Sequence, residues 1–325
     1  MRTYLLTTIL STFILTALLS RLLIPTLKKF AGQKILDIGP RWHKSKEGTP
    51  SMGGLSFLIA IAFTVAIAAC VLIRSHGITY ARPLLLSLGY AVGNALIGIV
   101  DDYTKIRKKE NAGLSPFQKI VLQVVLAAAY LALMKLFSAI TTDIHLPFTD
   151  FVIPLGYAYY FFAMVVLVGI VNCANLTDGI DGLASSVALV ISIFFTALAL
   201  KLGALPLIIV SGAVIGATLG FLVYNWHPAR VFMGDTGSLF LGALTASMAF
   251  MLNMPILILL VGIIYVIEGI SDVLQVGYYK LTKKRIFKMA PIHHHFEKSG
   301  FSEIKIVILF SFITLIASAI VYFGI

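Results

Sequence analysis

Runs of about 20 apolar residues recur along nearly the whole chain, and each is long enough to cross a hydrocarbon layer about 30 Å thick as a helix. Ten such runs fall at residues 3–25, 53–73, 83–100, 117–137, 153–173, 183–200, 204–223, 237–252, 255–278 and 304–324. No water reaches the backbone in lipid, so a spanning segment must satisfy its own N–H and C=O groups, as an α-helix does. The expectation is an all-α polytopic integral membrane protein with about ten transmembrane helices, forming one transmembrane domain over residues 1–325. Composition agrees: 59% of residues are hydrophobic and 12% are charged, whereas a soluble domain carries roughly 25% charged residues.

The ninth run is unusual. It contains Gly262, Gly269 and Gly277, with Glu268 and Asp272 one helical turn apart. This predicts a bent or broken helix whose polar side faces protein or water. The first run resembles a signal peptide in having Arg2 before an apolar stretch, but it is too long and has no clear small-residue cleavage site; it reads as an anchor. Cys70 and Cys173 lie inside separate apolar runs and offer neither a disulfide framework nor a metal pair.

The net charge of +11 reports topology rather than nucleic acid once the chain is read as a membrane protein. With ten crossings, the loops near 26–52, 101–116, 174–182, 224–236 and 279–303 share one side. Of the 25 Lys and Arg residues, only Arg2, Arg74, Arg82, Lys135 and Lys201 lie toward the other side. The basic side is therefore expected in the cytoplasm, with both termini extracytoplasmic. The basic run from Lys280 to Lys288 reads as a contact for anionic head groups.

The same loops carry most of the unusual polar residues. Asp101 and Asp102 follow an apolar run directly, with Lys105 one turn on. Adjacent carboxylates repel each other unless solvated, or unless a cation or a transferable proton lies between them; the plain alternative is an Asp101–Lys105 surface pair. Asn172, Asn175, Asp178 and Asp181 recur every three residues, with Gly179 and Gly182 permitting a helix break and close approach of a ligand. Here the alternative is a pair of Asx turns with Asp181 capping the next helix. Asp235 sits in Gly234-Asp235-Thr236-Gly237-Ser238 ahead of an apolar run, where either it or Thr236 could simply be an N-cap. Such a helix start also suits a phosphate bridged by metal, although the glycine pattern is neither a P-loop nor a dinucleotide fingerprint.

His293, His294 and His295 are consecutive in the last basic loop. They cannot all ligate one ion in ordinary geometry, so donation to phosphate or sugar oxygens is the functional reading and a solvated run the plain one. Lys46 precedes a turn rich in glycine and hydroxyls that includes Ser51, which suits either an ordinary loop or a lysine beside a lipid phosphate. Five acids, several cations and a histidine cluster thus crowd one membrane face. These are the parts used by magnesium-assisted phosphoryl transfer: carboxylates hold the ion and remove a proton, and cations neutralise phosphate oxygens.

The chain resembles the polyprenyl-phosphate N-acetylhexosamine-1-phosphate transferases. The resemblance rests on Asp101-Asp102-x-x-Lys105, Asn172-x-x-Asn175-x-Thr177-Asp178-Gly179-x-Asp181-Gly182, Val231-Phe232-Met233-Gly234-Asp235-Thr236-Gly237-Ser238 and Pro291-Ile292-His293-His294-His295-Phe296-Glu297, and it covers essentially the whole chain. It implies a bacterial inner-membrane enzyme with a cytoplasmic active site. The implied reaction transfers phospho-MurNAc-pentapeptide from UDP-MurNAc-pentapeptide to undecaprenyl phosphate, giving lipid I and UMP with Mg2+. Membrane lipid is an implied partner, nucleic acid is not, and a homodimer is left open.

The resemblance also assigns roles. Asp235 is the magnesium ligand, and Asp101 deprotonates the lipid phosphate or itself attacks the pyrophosphate. Asp102 supports the lipid phosphate site and His294 joins the catalytic set. Asn175, Asp178 and Phe232 lie at the uridine, with Asn172 among the substrate-binding residues. Lys46, Ser51, Lys105, Lys119, Asp181, Asn225, His293 and His295 surround the phosphates and sugar. A sister transferase using UDP-GlcNAc shares the acidic motifs and is distinguished by the histidine loop. A transporter would instead place charges at mid-membrane depth in several runs and show internal repeats.

Overall fold

A computed structural model describes residues 1–30, 46–108, 113–137 and 139–325. The basic residues Lys34, Arg41, Lys44 and Lys109 lie outside the described residues. In chain order the helices are α1 (Arg2–Phe30), α2 (Gly54–His76), α3 (Ile78–Lys108), α4 (Pro116–Leu136), α5 (Ala158–Thr177), α6 (Leu183–Leu202), α7 (Leu205–Asn225), α8 (Gly234–Met251), α9 (Ile256–Val261), α10 (Ile263–Thr282), α11 (Ile292–Glu297) and α12 (Glu303–Gly324). The protein is a mostly helical, polytopic membrane protein, and α1 to α7 together with α12 are long and apolar enough to cross a membrane.

The two remaining long helices depart from that pattern for physical reasons. In α8 every residue from Thr236 to Phe250 is buried by other helices, so its small and hydroxylated residues never meet lipid. In α10 the acids Glu268 and Asp272 interrupt the apolar sequence. The ninth run is broken, as its glycines predict. The helical path stops at Val261 and resumes at Ile263, with the Gly262 N–H donating to Ile258 O.

The helical architecture agrees with the all-α expectation and carries one small addition. Between α4 and α5 the chain forms a hairpin of β1 (Asp143–His145) and β2 (Val152–Pro154), antiparallel with Ile144 opposite Ile153. Strands this short carry too little alternation to register in a sequence dominated by 20-residue apolar runs.

Between helices in lipid the hydrophobic effect is weak, and small residues let backbones meet. On α7, Gly212, Gly216 and Gly220 form one stripe against Thr8, Thr12 and Thr16 of α1, so close that a Cβ at Gly216 would overlap the Ile9 carbonyl. Those threonines are buried; Thr8 satisfies its hydroxyl by donating to the Tyr4 carbonyl of its own helix at 2.8 Å. Elsewhere the ends are set locally. Ser115 and Gln118 form a reciprocal capping box at the start of α4, and Ser302 caps α12 by accepting from the Lys305 N–H.

Candidate active site

Three helix ends meet at one point. The C-terminal part of α3 supplies Asp101, Asp102 and Lys105, the first turn of α4 supplies Lys119, and the first turn of α8 supplies Asp235. Gly98 makes the crossing possible, since a Cβ there would overlap the Asp235 carbonyl. Oxygen atoms of Asp101, Asp102 and Asp235 all lie within 4.8 Å of one another. Two lysines hold them together. Lys105 Nζ is 2.6 Å from Asp101 Oδ2 and 3.3 Å from Asp235 Oδ1, and Lys119 Nζ is 3.1 Å from Asp101 Oδ1 and 2.6 Å from Asp235 Oδ2. The Asp101–Lys105 pair of the plain reading exists, but the Asp101 side chain is fully buried, so it is part of a network rather than a surface pair.

The two adjacent acids do different work. Asp101 Oδ1 accepts from the Leu114 N–H at 2.7 Å. Asp102 caps α8 from another helix: its Oδ1 accepts from the Asp235 N–H at 3.2 Å, and its Oδ2 from the Thr236 N–H at 2.9 Å and hydroxyl at 2.8 Å. The carboxylate at the positive end of α8 is therefore Asp102, and neither Asp235 nor Thr236 is the N-cap, a position held by Met233. Asp235 is left facing the lysines. Lys105 and Lys119 both lie within ion-pair distance of its carboxylate.

Asp178 lies just beyond the end of α5. Burial, followed by the negative charges of Asp235, Asp102 and Asp181, pushes its carboxyl well above the usual range. Asn175 Oδ1, one turn earlier, accepts from the Ser238 hydroxyl at 2.9 Å and so ties α5 to α8. Asn172 turns aside, donating to Gln123 Oε1 on α4 at 2.6 Å and to the Val168 carbonyl. Asn225 is buried and donates to the Val231 carbonyl at 3.0 Å, which fixes the loop leading to Asp235. That loop also pairs with the turn after Lys46: the Phe232 N–H donates to Pro50 O, and the Gly53 N–H to Phe232 O. Ser51 stands beside Gly234 in the same pairing.

A second cluster forms around Asp181. Lys46 Nζ is 2.8 Å from Asp181 and 2.6 Å from Glu303, while Asp181 Oδ2 meets His227 Nδ1 at 3.0 Å and accepts from the Ala229 N–H at 3.0 Å. Asp181 does not cap α6, whose N-cap is Gly182; its own N–H donates to Glu303 at 3.0 Å. Sequence reading missed Glu303 and His227 as members of this cluster. Glu303 stands in the first turn of α12, where an acid is ordinary, and only the fold brings it beside a residue 122 positions away.

The three histidines lie on α11 and separate there. His293 is buried, with Nδ1 3.0 Å from Glu268 Oε2; His294 is partly exposed, with Nδ1 2.6 Å from Glu297; and His295 Nδ1 accepts from the Lys288 N–H at 3.1 Å.

Fold and site together define a polytopic membrane enzyme whose acidic centre, bridged by lysines, suits the handling of phosphate. The glycosyl transferase family 4 model matches residues 84–253. A phospho-N-acetylmuramoyl-pentapeptide transferase of Staphylococcus epidermidis ATCC 35984 is 44% identical over 320 residues, covering 98% of this chain and 97% of the relative. The enzyme of the same name from Staphylococcus aureus Newman is 42% identical over the same coverage. The chain belongs to glycosyl transferase family 4 and, within it, to the phospho-N-acetylmuramoyl-pentapeptide transferases.

Proposed function

We propose that this chain transfers phospho-MurNAc-pentapeptide from UDP-MurNAc-pentapeptide to undecaprenyl phosphate, releasing UMP and leaving lipid I in the membrane. The observation that carries the chemistry is the convergence of Asp101, Asp102 and Asp235 with Lys105 and Lys119. Three carboxylates form an all-oxygen donor set, which suits a hard divalent cation such as Mg2+. Asp235 would be its principal ligand, with Asp101 beside it. When bound, the cation supplies charge neutralisation to the diphosphate.

The side chains divide the rest of the reaction. Asp101, in contact with Lys105 and Lys119, takes the proton from the lipid phosphate. The freed oxygen attacks the phosphorus joined to the sugar, and the bond from that phosphorus to the UMP oxygen breaks. Lys105 and Lys119 stabilise the negative charge that collects on the phosphoryl oxygens. Asp102 keeps Asp235 in place through the first turn of α8. Asn175, Asp178 and Phe232 serve the uridine, and Lys46, Ser51, Asp181 and the partly exposed His294 and His295 serve the phosphates and sugar.

Ten spans complete the reading. The α8 helix is the eighth span and the broken α9 and α10 are the ninth, which puts the active face in the cytoplasm and both termini outside. A cysteine at Ser299 should then resist a membrane-impermeant thiol reagent in intact cells, and one at Thr142 should react, once Cys70 and Cys173 are replaced. The activity is tested with purified protein, Mg2+ and undecaprenyl phosphate. UMP should appear with UDP-MurNAc-pentapeptide and at least about a hundredfold more slowly with UDP-GlcNAc. Equal rates would move the chain to the sister branch.

A further inference from the structure

Glu268 belongs to none of the four motifs, yet it is fully buried in α10, the helix that resumes after the break at Gly262. Its Oε2 lies 3.0 Å from Nδ1 of His293, which is also fully buried. The opposite ring nitrogen, Nε2, is buried with no hydrogen-bond partner among the described residues and rests on Gly179, where a Cβ would overlap it. Gly179 lies between Asp178 and Ile180 in the turn that carries Asp178 and Asp181. The other side of this turn is held by Glu303, which accepts from the Asp181 N–H at 3.0 Å.

We propose that Glu268 and His293 are a positioning pair that sets the place of the turn from Asp178 to Gly182, and through it the nucleotide-sugar site. The contact between Glu268 Oε2 and Nδ1 fixes the ring plane, and a carboxylate oxygen at that place favours the tautomer with its proton on Nδ1. The ring is then a wedge of defined height against a residue with no side chain. Among the three histidines, His293 is the one turned inward, so it acts on substrate through the turn, while His294 and His295 remain partly exposed. The inference rests on the transferase reading given above, because the turn matters only if Asp178 and Asp181 meet the nucleotide sugar.

Steady-state kinetics of the purified full chain, varying UDP-MurNAc-pentapeptide and undecaprenyl phosphate separately, test the pair. Glu268→Ala should raise KM for the nucleotide sugar at least about tenfold and leave KM for the lipid within about twofold. Glu268→Gln, whose amide oxygen still accepts from Nδ1–H, should stay within about threefold of the unchanged protein. The double variant Glu268→Ala/His293→Ala should be no worse than His293→Ala, because one residue acts through the other. If Glu268→Ala does not fold, Gly179→Ala probes the same contact from the turn and should show the same split between the two KM values. Multiplicative losses in the double variant, a Glu268→Gln defect as large as that of Glu268→Ala, or equal changes in both KM values would overturn the proposal. Failure of the unchanged protein to release UMP would instead remove the transferase reading itself.

Discussion

Among the described residues, two clusters place three metal-competent side chains within 4.8 Å, Asp101 with Asp102 and Asp235, and Asp181 with His227 and Glu303. Their surroundings differ in ways that matter more than the shared spacing. The first is built on the ends of long helices, uses only carboxylates, and is bridged by Lys105 and Lys119, whose side chains are 31% and 19% exposed. The second joins loops to the first turn of α12, and Asp181 there meets Lys46, His227, the Ala229 N–H and, through its own N–H, Glu303. Spacing alone therefore does not separate a reaction centre from a clamp. What separates them is that the Asp235 carboxylate meets two lysines that can turn toward a phosphate, whereas the Asp181 carboxylate is tied to a backbone N–H and a histidine as well as to its lysine.

The largest expected effect lies in the first cluster. Asp101→Asn and Asp235→Asn preserve shape and remove charge, so each should lower turnover by at least about a hundredfold in a UMP-release assay while melting behaviour in detergent is retained. Near-normal turnover in either would dissolve the contrast between the clusters. Gly98→Ala should come next, because its Cβ would push α3 away from the Asp235 backbone. A loss of about 1 to 3 kcal/mol in stability is expected from the overlap, together with a clear fall in turnover; unchanged values would show that the crossing does not set the site.

The clamp should respond more mildly. Glu303→Gln keeps the shape but withdraws one of the two charges held on Lys46, costing about 1 to 3 kcal/mol in melting experiments with turnover reduced by about tenfold or less. A hundredfold loss with stability intact would promote this cluster to the reaction centre.

The smallest effect concerns Asp178, whose carboxyl is raised by burial and by Asp235, Asp102 and Asp181. The folded state keeps its proton where the unfolded chain has lost it, so stability falls as pH rises from the ordinary carboxylate range toward the raised folded value. Asp178→Asn removes that penalty. The variant should melt higher than the unchanged protein at neutral pH and converge with it below about pH 4. A constant difference across pH would remove the titration of Asp178 as the cause.

The same contrast explains what the sequence could disclose. Long apolar runs make helices legible in lipid because one local rule, self-satisfied backbone, decides them, and the broken ninth run was legible from Gly262. The hairpin at 143–154 was not, because three-residue strands are stabilised by pairing rather than by pattern. Asp101, Asp102 and Asp235 stand out because acids at the ends of apolar runs are costly without a reason. Glu303 and Glu268 do not, since one looks like a first-turn acid and the other like the polar side of a bent helix; their partners Asp181 and His293 are brought to them by the fold alone. The partners of Asn172 and Asn225, Gln123 and the Val231 carbonyl, are likewise supplied by the fold.

The central claim is that the cluster of Asp101, Asp102 and Asp235, and not that of Asp181, His227 and Glu303, holds the divalent cation. Binding of Mn2+, as a paramagnetic substitute for Mg2+, to purified protein read by electron paramagnetic resonance tests it directly. The account predicts one site that Asp235→Asn abolishes and Glu303→Gln leaves intact. Loss of the site in Glu303→Gln with full binding in Asp235→Asn would contradict it.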